Sequence, residues 1–444
     1  MTMSLNTTGS PLCGGLGHFS RRGLLKATAL GGSAWLTGVA QQLARAEEKA
    51  PSGAPARSVI VVWLGGGPSQ FDTFDPKPGT KYGGGVEARK TASADISIAK
   101  GFEQLADQMH HISLVRSVMS KEGDHERATY TLKTGYRPDP TVIHPAIGAI
   151  LCHETSDTID IPRHVSILPD QWSARGGYLG DKYDAFRVPD PVNDVPDVTS
   201  FMAKNEPERY NRRFADLDIV EKQFARRRRP SLEKDRTLHR ATVDAARRMM
   251  TSEQLAAFNV NTATEELRKE FGDTNFGRGC LTALRLIECG VRCVEVTMNG
   301  WDTHANNEEF CKENIAILDP SYAALIRQLE ARKLLDHTIV ICCGEFGRTP
   351  VINPLGGRDH WPHGFTVALA GGGIRGGRVI GETSAEVDVE DKNREKYVRD
   401  PRYVDDIHAT VLKSLGIDYS TEIMTPIQRP LAYSTGKPIQ ELLS

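Results

Sequence analysis

Val59-Ile60-Val61-Val62-Trp63-Leu64 runs directly into Gly65-Gly66-Gly67-Pro68. An unbroken apolar, β-branched run of this kind describes a strand covered on both faces, and the glycines and proline after it describe a tight loop. The design recurs. His337 to Cys343 enters Gly344, Val291 to Met298 enters Asn299-Gly300, and Phe365 to Ala370 enters Gly371-Gly372-Gly373. Helical patterns at Gly277 to Glu288 and Ala323 to Leu335 lie ahead of two of these runs. Strand and helix alternating in this way predict an α/β fold, a three-layer α/β/α sandwich with a largely parallel central sheet, over residues 58–444. Residues 207–272 are charged, carry no buried-strand run, and read as a helical insertion.

Composition agrees with a folded domain: of 444 residues 39% are hydrophobic and 25% charged, which excludes wholesale disorder, collagen and a polytopic membrane protein. With 55 Lys and Arg against 57 Asp and Glu, electrostatics make no case for nucleic-acid binding. The basic run Arg226 to Arg229 reads as a solvated helix end. Eight cysteines without a Cys-x-x-Cys pair exclude a disulfide scaffold and a zinc ribbon.

Ahead of the fold, Arg21-Arg22 precedes a weakly apolar stretch from Ala27 to Ala40, which is followed by Ala44-Arg45-Ala46. That order predicts a twin-arginine signal peptide over residues 1–46, and residues 47–57 read as a linker. The apolar stretch is shorter than the ~20 residues that span a bilayer, so no stable membrane anchor is expected after cleavage. The expected location is periplasmic or extracellular. Losing Cys13 with the signal leaves an odd number of cysteines in an oxidising compartment.

Polar chemistry clusters just beyond the strand ends, the edge at which ligands bind in open α/β sheets. Asn299-Gly300-Trp301-Asp302-Thr303-His304 places a carboxylate and an imidazole two residues apart, suited to one cation or else to an Asx-turn beside a surface histidine. Gly344-Glu345-Phe346-Gly347-Arg348 adds a carboxylate and a guanidinium: Arg348 beside a metal would grip a phosphate or sulfate, or else Glu345 and Arg348 pair and fix the loop. Arg358-Asp359-His360-Trp361-Pro362-His363 packs two histidines and an aspartate into five residues, a density that points to metal or catalysis. Asp72 follows the first glycine loop, which lacks the Lys-Ser/Thr ending of a phosphate-cradling loop. Asp124 and His125 open a helix, where Asp124 serves as a cap or the helix end receives an anion.

Taken in order, these motifs resemble the alkaline phosphatase superfamily, which includes sulfatases and phosphatases, and within it an exported branch known as domain of unknown function family fifteen-oh-one. The resemblance covers nearly all of Ser58 to Ser444. It implies that the segment ending Thr134-Gly135 is similar to the sulfatase nucleophile helix, with His125 where that family has its nucleophile and no Ser, Thr or Cys in the slot. It further implies that Asp302 and His304 are the first metal's Asp and His, Glu345 the carboxylate of a strand exit, and His363 the last metal histidine. Asp359 and His360 would replace a missing ligand, and Asp72 would be the N-terminal metal aspartate.

Two functions follow from the resemblance. One is an exported metal-dependent hydrolase of phosphate or sulfate esters, using zinc, with calcium or manganese as alternatives. Its substrate would be a small molecule or a polysaccharide ester, with His125 as base or nucleophile and Arg348 balancing charge on the transferred group. The other is a non-catalytic exported binding protein on the same fold. Oligomeric state is left open.

Overall fold

The first apolar run becomes an interior strand of a nine-stranded sheet. In chain order the strands are β1 (Ser58–Gly65), β2 (Ile112–Met119), β3 (His164–Ile167), β4 (Phe186–Val188), β5 (Cys293–Asn299), β6 (Thr338–Cys343), β7 (His363–Ala370), β8 (Val379–Ile380) and β9 (Arg402–Tyr403). The structure is a computed structural model and describes residues 56–156, 159–192, 207–225, 243, 245–250, 252–384, 386–388 and 390–444. The signal peptide and the linker up to residue 55 therefore lie outside the described residues. Ala56 and Arg57, read as the end of the linker, are tied to the fold by donating to the carbonyls of Ser414 and His337.

Spatially the sheet runs β8-β2-β7-β6-β1-β5-β3-β4, with β9 beside β2. The longer helices among the described residues are α1 (His125–Thr134), α2 (Ile147–Glu154), α3 (Pro207–Ala225), α4 (Asn275–Glu288), α5 (Asn307–Ala331) and α6 (Val404–Ser414). Side chains of β1 alternate between two cores, as the period of a strand requires. Ile60, Val62 and Leu64 pack with Leu281 and Leu284 of α4 and Leu325 of α5. Val59 and Trp63 point the other way and pack with Leu132 of α1, Ile150 of α2 and Val411 of α6. That division gives the three layers expected from the unbroken apolar pattern.

Parallel pairing holds everywhere except at β7, which runs antiparallel to both β2 and β6. The physical reason is local. No helix follows β6; the chain turns back at the carboxyl edge, and Gly347–Arg348 pairs antiparallel with His360–Trp361 before β7 begins. The polar segment 344–363 is thus the reversal itself. A second difference is α5, which starts at Asn307 rather than Ala323 and ends at Ala331 rather than Leu335, continuing through Pro320.

Within 207–272 the described residues form α3 and short helical turns at Glu253–Phe258, Val260–Thr262 and Glu265–Glu270. Phe258, Val260 and Phe271 join the core beneath α4 and α5. The seven described cysteines all carry free thiols. Among the described residues no helix is long and apolar enough to cross a membrane.

Candidate metal centre

Register brings the chemistry together. Gly65 lies opposite Asn299, and Trp63 lies opposite Cys343, so β1, β5 and β6 leave the sheet at one level. The loops after them must then share one crevice. Gly66 sets the closeness of approach: its φ is +112°, and a Cβ there would stand 2.3 Å from the backbone nitrogen of Asp302. From the other side α1 presents its first residue, His125, while Asp124 caps the helix by accepting from the Arg127 amide at 3.2 Å. The cap reading of Asp124 therefore holds, and the histidine beside it faces the crevice.

Three imidazoles surround the Asp302 carboxylate. His125 Nε2 lies 3.3 Å from Oδ2, His304 Nε2 3.2 Å from Oδ1, and His360 Nε2 3.4 Å from Oδ1. The outward nitrogen of each ring is held by an acceptor. His125 Nδ1 meets Glu345 Oε1 at 2.6 Å, His304 Nδ1 meets Asp359 Oδ1 at 2.7 Å, and His360 Nδ1 meets the Gly123 carbonyl at 2.8 Å. A carboxylate or carbonyl oxygen can only accept, so each Nδ1 carries the proton and a neutral ring turns the lone pair of Nε2 inward.

Electrostatics follow from this arrangement. The hydrogen bond to Glu345 raises His125 above the ordinary histidine value, against the opposing effect of burial and with further help from the Glu345 and Asp302 charges. Burial lowers His360 below the ordinary histidine value. Burial pushes Asp302 up, but the hydrogen bond and charge of Arg348, with His125 and His304, hold it below its usual range. Inward lone pairs beside a carboxylate repel one another unless a proton or cation sits among them. His125 Nε2 and Glu345 Oε2 are moreover buried without hydrogen-bond partners.

His125, Asp302 and His360 each offer a ligand atom within 4.8 Å of one another, so the group could hold a metal ion. Imidazole and carboxylate donors suit zinc or a neighbouring divalent ion, and an acceptor behind each ring is the usual support for a metal-binding histidine.

A family model described as "Protein of unknown function (DUF1501)" matches residues 56–443. The chain belongs to that family. No curated protein sequence matches it significantly. Among solved structures it is similar to the PsFucS1 sulfatase from Pseudoalteromonas sp., at 12% identity, covering 86% of this chain and 72% of that one with a TM-score of 0.36. It is also similar to the alkaline phosphatase from the Antarctic bacterium TAB5, at 15% identity, covering 82% and 99% with a TM-score of 0.33. A third is the lipoteichoic acid synthase LtaP from Listeria monocytogenes, at 10% identity, covering 85% and 77% with a TM-score of 0.35.

Several residues singled out in this DUF1501 chain stand elsewhere than their sequence reading placed them. Glu345 and Asp359 lie behind His125 and His304 rather than within the ligand group. Arg348 is fully buried and pairs with Asp302 at 2.7 Å, not with Glu345. Its remaining hydrogen bonds go to the carbonyls of Gly66, Gly67 and Arg358, so it fixes Asp302 and the β1 loop instead of reaching a transferred group.

Asp72 is buried in an ion pair with Arg358 at 2.8 Å and accepts from Ser69 Oγ. Its carboxylate stabilises that guanidinium and is spent there. His363 stands three residues from His360 on an extended chain, so the two project to opposite sides. The His363 ring packs edge-on against Trp361 at 5.3 Å, whereas the His360 ring meets His125 and His304.

Sequence reasoning missed two contributors, the Gly123 carbonyl and the Asn353 amide. The latter donates to the His304 carbonyl at 3.0 Å and Asp359 Oδ1 at 3.3 Å. A backbone oxygen leaves no mark in sequence, and an asparagine in a turn is common without any site.

Proposed function

We propose that this protein is an exported metal-dependent hydrolase of phosphate or sulfate esters, with zinc as the first candidate metal. The observation that carries the reading is the ring of three inward imidazole nitrogens around Asp302, each with its outer nitrogen held by an acceptor. His125, Asp302, His304 and His360 would hold the ion. A divalent ion bound by them supplies Lewis-acid polarisation of the ester oxygens and lowers the pKa of a coordinated water toward ~7.

The protein's own part is positional. Arg348 keeps Asp302 ionised and aimed into the crevice, and Glu345 keeps the His125 proton on Nδ1. His125 Nε2 then turns its lone pair into the crevice, where it would serve the ion as a ligand. With a histidine where a sulfatase-like enzyme has its nucleophile, a covalent route through a hydroxyl or thiol at that position is closed.

A second reading, an exported binding protein, is favoured by the complete burial of Arg348, which removes the guanidinium expected to steady a transferred group. Metal analysis of the purified protein and a panel of phosphate and sulfate monoesters separate the two. Turnover that disappears in His360→Ala supports the hydrolase, whereas bound metal with no turnover on any ester supports the binding protein. For export, Arg21→Lys with Arg22→Lys should leave uncleaved protein in the cytoplasm, and normal export of the double variant would remove the twin-arginine assignment.

A further inference from the structure

Arg358 is fully buried beside the centre, and its guanidinium is bound on every side by groups from separate stretches of chain. We propose that Arg358 is the positioning residue of the metal centre, setting the spacing of His304 and His360 and the aim of Asp302 through the residues around it. This rests on the metal-centre reading and adds the group that gives the centre its geometry.

The side chain ties two distant stretches together. Its Nε pairs at 2.8 Å with Asp72, on the loop after β1. Nη2 donates to the Tyr82 carbonyl at 2.9 Å, and Nη1 donates to the carbonyls of Thr349, at 3.1 Å, and Pro350. The Phe71 ring covers the face of the guanidinium, with its centroid 5.4 Å away. One planar group thus holds the chain reversal to a loop 276 positions earlier.

The main chain of the same residue reaches the ligands. Its amide donates to the Thr303 carbonyl at 3.0 Å, which lays Arg358 to His360 beside His304. Gly357 permits the approach, since a Cβ there would stand 2.0 Å from the His304 carbonyl carbon. Asp359, the next residue, holds His304 Nδ1, and His360 follows it. The Arg358 carbonyl accepts from Arg348 Nη1 at 3.1 Å, while Arg348 Nη2 pairs with Asp302. Three of the four residues named for the ion therefore take their places from Arg358. His125 arrives separately, on α1.

Stability does not account for a charge at this place. Burying an ion is unfavourable, and apolar side chains in place of a buried ion pair often leave a fold as stable or more so. A planar fork of five N–H donors, by contrast, fixes directions that an apolar side chain leaves free.

The test is metal binding to the full chain. It is read as zinc affinity, by competition with a chromophoric chelator, and as the visible spectrum of the cobalt(II) form, whose bands report coordination number and geometry. Arg358→Lys keeps the charge but cannot span Asp72 and three carbonyls. It should weaken zinc binding by about ten-fold or more and shift the cobalt bands. Asp72→Asn keeps an acceptor for Ser69 and is the milder change, so it should move both readouts the same way by less. Arg285→Lys is the comparison. Arg285 is also buried and donates to carbonyls, those of Asn259 and Ala256, near the end of α4 that leads into β5 at the opposite edge of the sheet. Its replacement should lower the melting temperature and leave zinc affinity and cobalt spectrum as in the wild type. Wild-type affinity and spectrum in both Arg358→Lys and Asp72→Asn overturn the positioning role while the metal reading stands. Equal weakening in Arg285→Lys also overturns it, because general loosening then explains the effect. A wild type that takes up neither ion removes the metal reading and this proposal with it.

Discussion

His304 Nε2 and His360 Nε2 lie 3.0 Å apart, and neither ring is free to turn its other nitrogen inward. Asp359 holds one Nδ1 and the Gly123 carbonyl holds the other. Two lone pairs at that distance are compatible only with positive charge shared between them. One proton could serve that pair, but His125 and both oxygens of Asp302 face the same space. A divalent cation held by His125, Asp302 and His360, as proposed above, would relieve that crowding.

Zinc should therefore stabilise the folded protein. A ligand that binds only the native state adds about 2.7 kcal/mol at a hundred times its dissociation constant. The melting temperature should rise with zinc in the wild type and fall back with a chelator. His304→Ala and His360→Ala should each lose most of the rise; equal shifts in both variants would sink the ligand assignment.

Arg348→Lys should be costly although it conserves charge. The guanidinium reaches Asp302 and three backbone carbonyls in different directions, and a single ammonium cannot span them. Losing two charge-assisted hydrogen bonds costs about 3 kcal/mol. Denaturant unfolding should show that loss together with weaker metal retention, because Asp302 loses the group that aims it. A lysine variant as stable as the wild type, with unchanged metal content, would show that Arg348 does not organise the site.

How far the sequence carried the reading depends on whether local pattern or tertiary partner decided the outcome. The strands β1, β5, β6 and β7 were legible because nothing but double burial explains Val59 to Leu64 and its counterparts. β2 was not singled out, since Ser113, Arg116 and Ser117 interrupt its pattern. Arg116 is tolerated there because Asp75 sits 3.4 Å away, a partner 41 positions back in sequence. In the same way, composition brought out Asp302, His304 and His360. Which of the neighbouring groups faced the crevice was decided by the pleat at His363 and by Arg358 claiming Asp72.

Stability should fall as the solution is acidified below about pH 6.5, in part through His408. This ring is buried, donates from Nε2 to the Leu132 carbonyl at 2.8 Å, and leaves Nδ1 without a partner. Burial lowers its folded pKa, outweighing the upward pull of that hydrogen bond and of Asp405. Between the folded value and the unfolded value near 6.5 the unfolded chain binds more protons, so stability rises with pH in that window and is lost on going down through it. The slope for one such group approaches 1.4 kcal/mol per pH unit, roughly the value of a one-unit shift. His408→Gln, which retains a donor for Leu132, should reduce the dependence measured by urea unfolding between pH 7.5 and 5.5. An unchanged slope would place the proton uptake elsewhere.

Glu345 should act through His125 rather than as a ligand. Its Oε1 accepts from the Gly66 amide at 3.0 Å and from His125 Nδ1 at 2.6 Å, so one oxygen ties the β1 loop to the helix that presents the imidazole. Outer partners of metal-binding histidines typically change metal affinity 10- to 100-fold when replaced. Glu345→Gln keeps an acceptor in place but removes the charge that makes the ring a better donor of its lone pair. Zinc affinity, measured by competition with a chromophoric chelator, should fall by about ten-fold in that variant, with little change in unfolding midpoint without metal. Glu345→Ala also frees the Gly66 amide and should lose both affinity and stability. If both variants bind zinc as the wild type does, His125 is oriented by the helix alone, and the carboxylate serves only to hold the glycine loop.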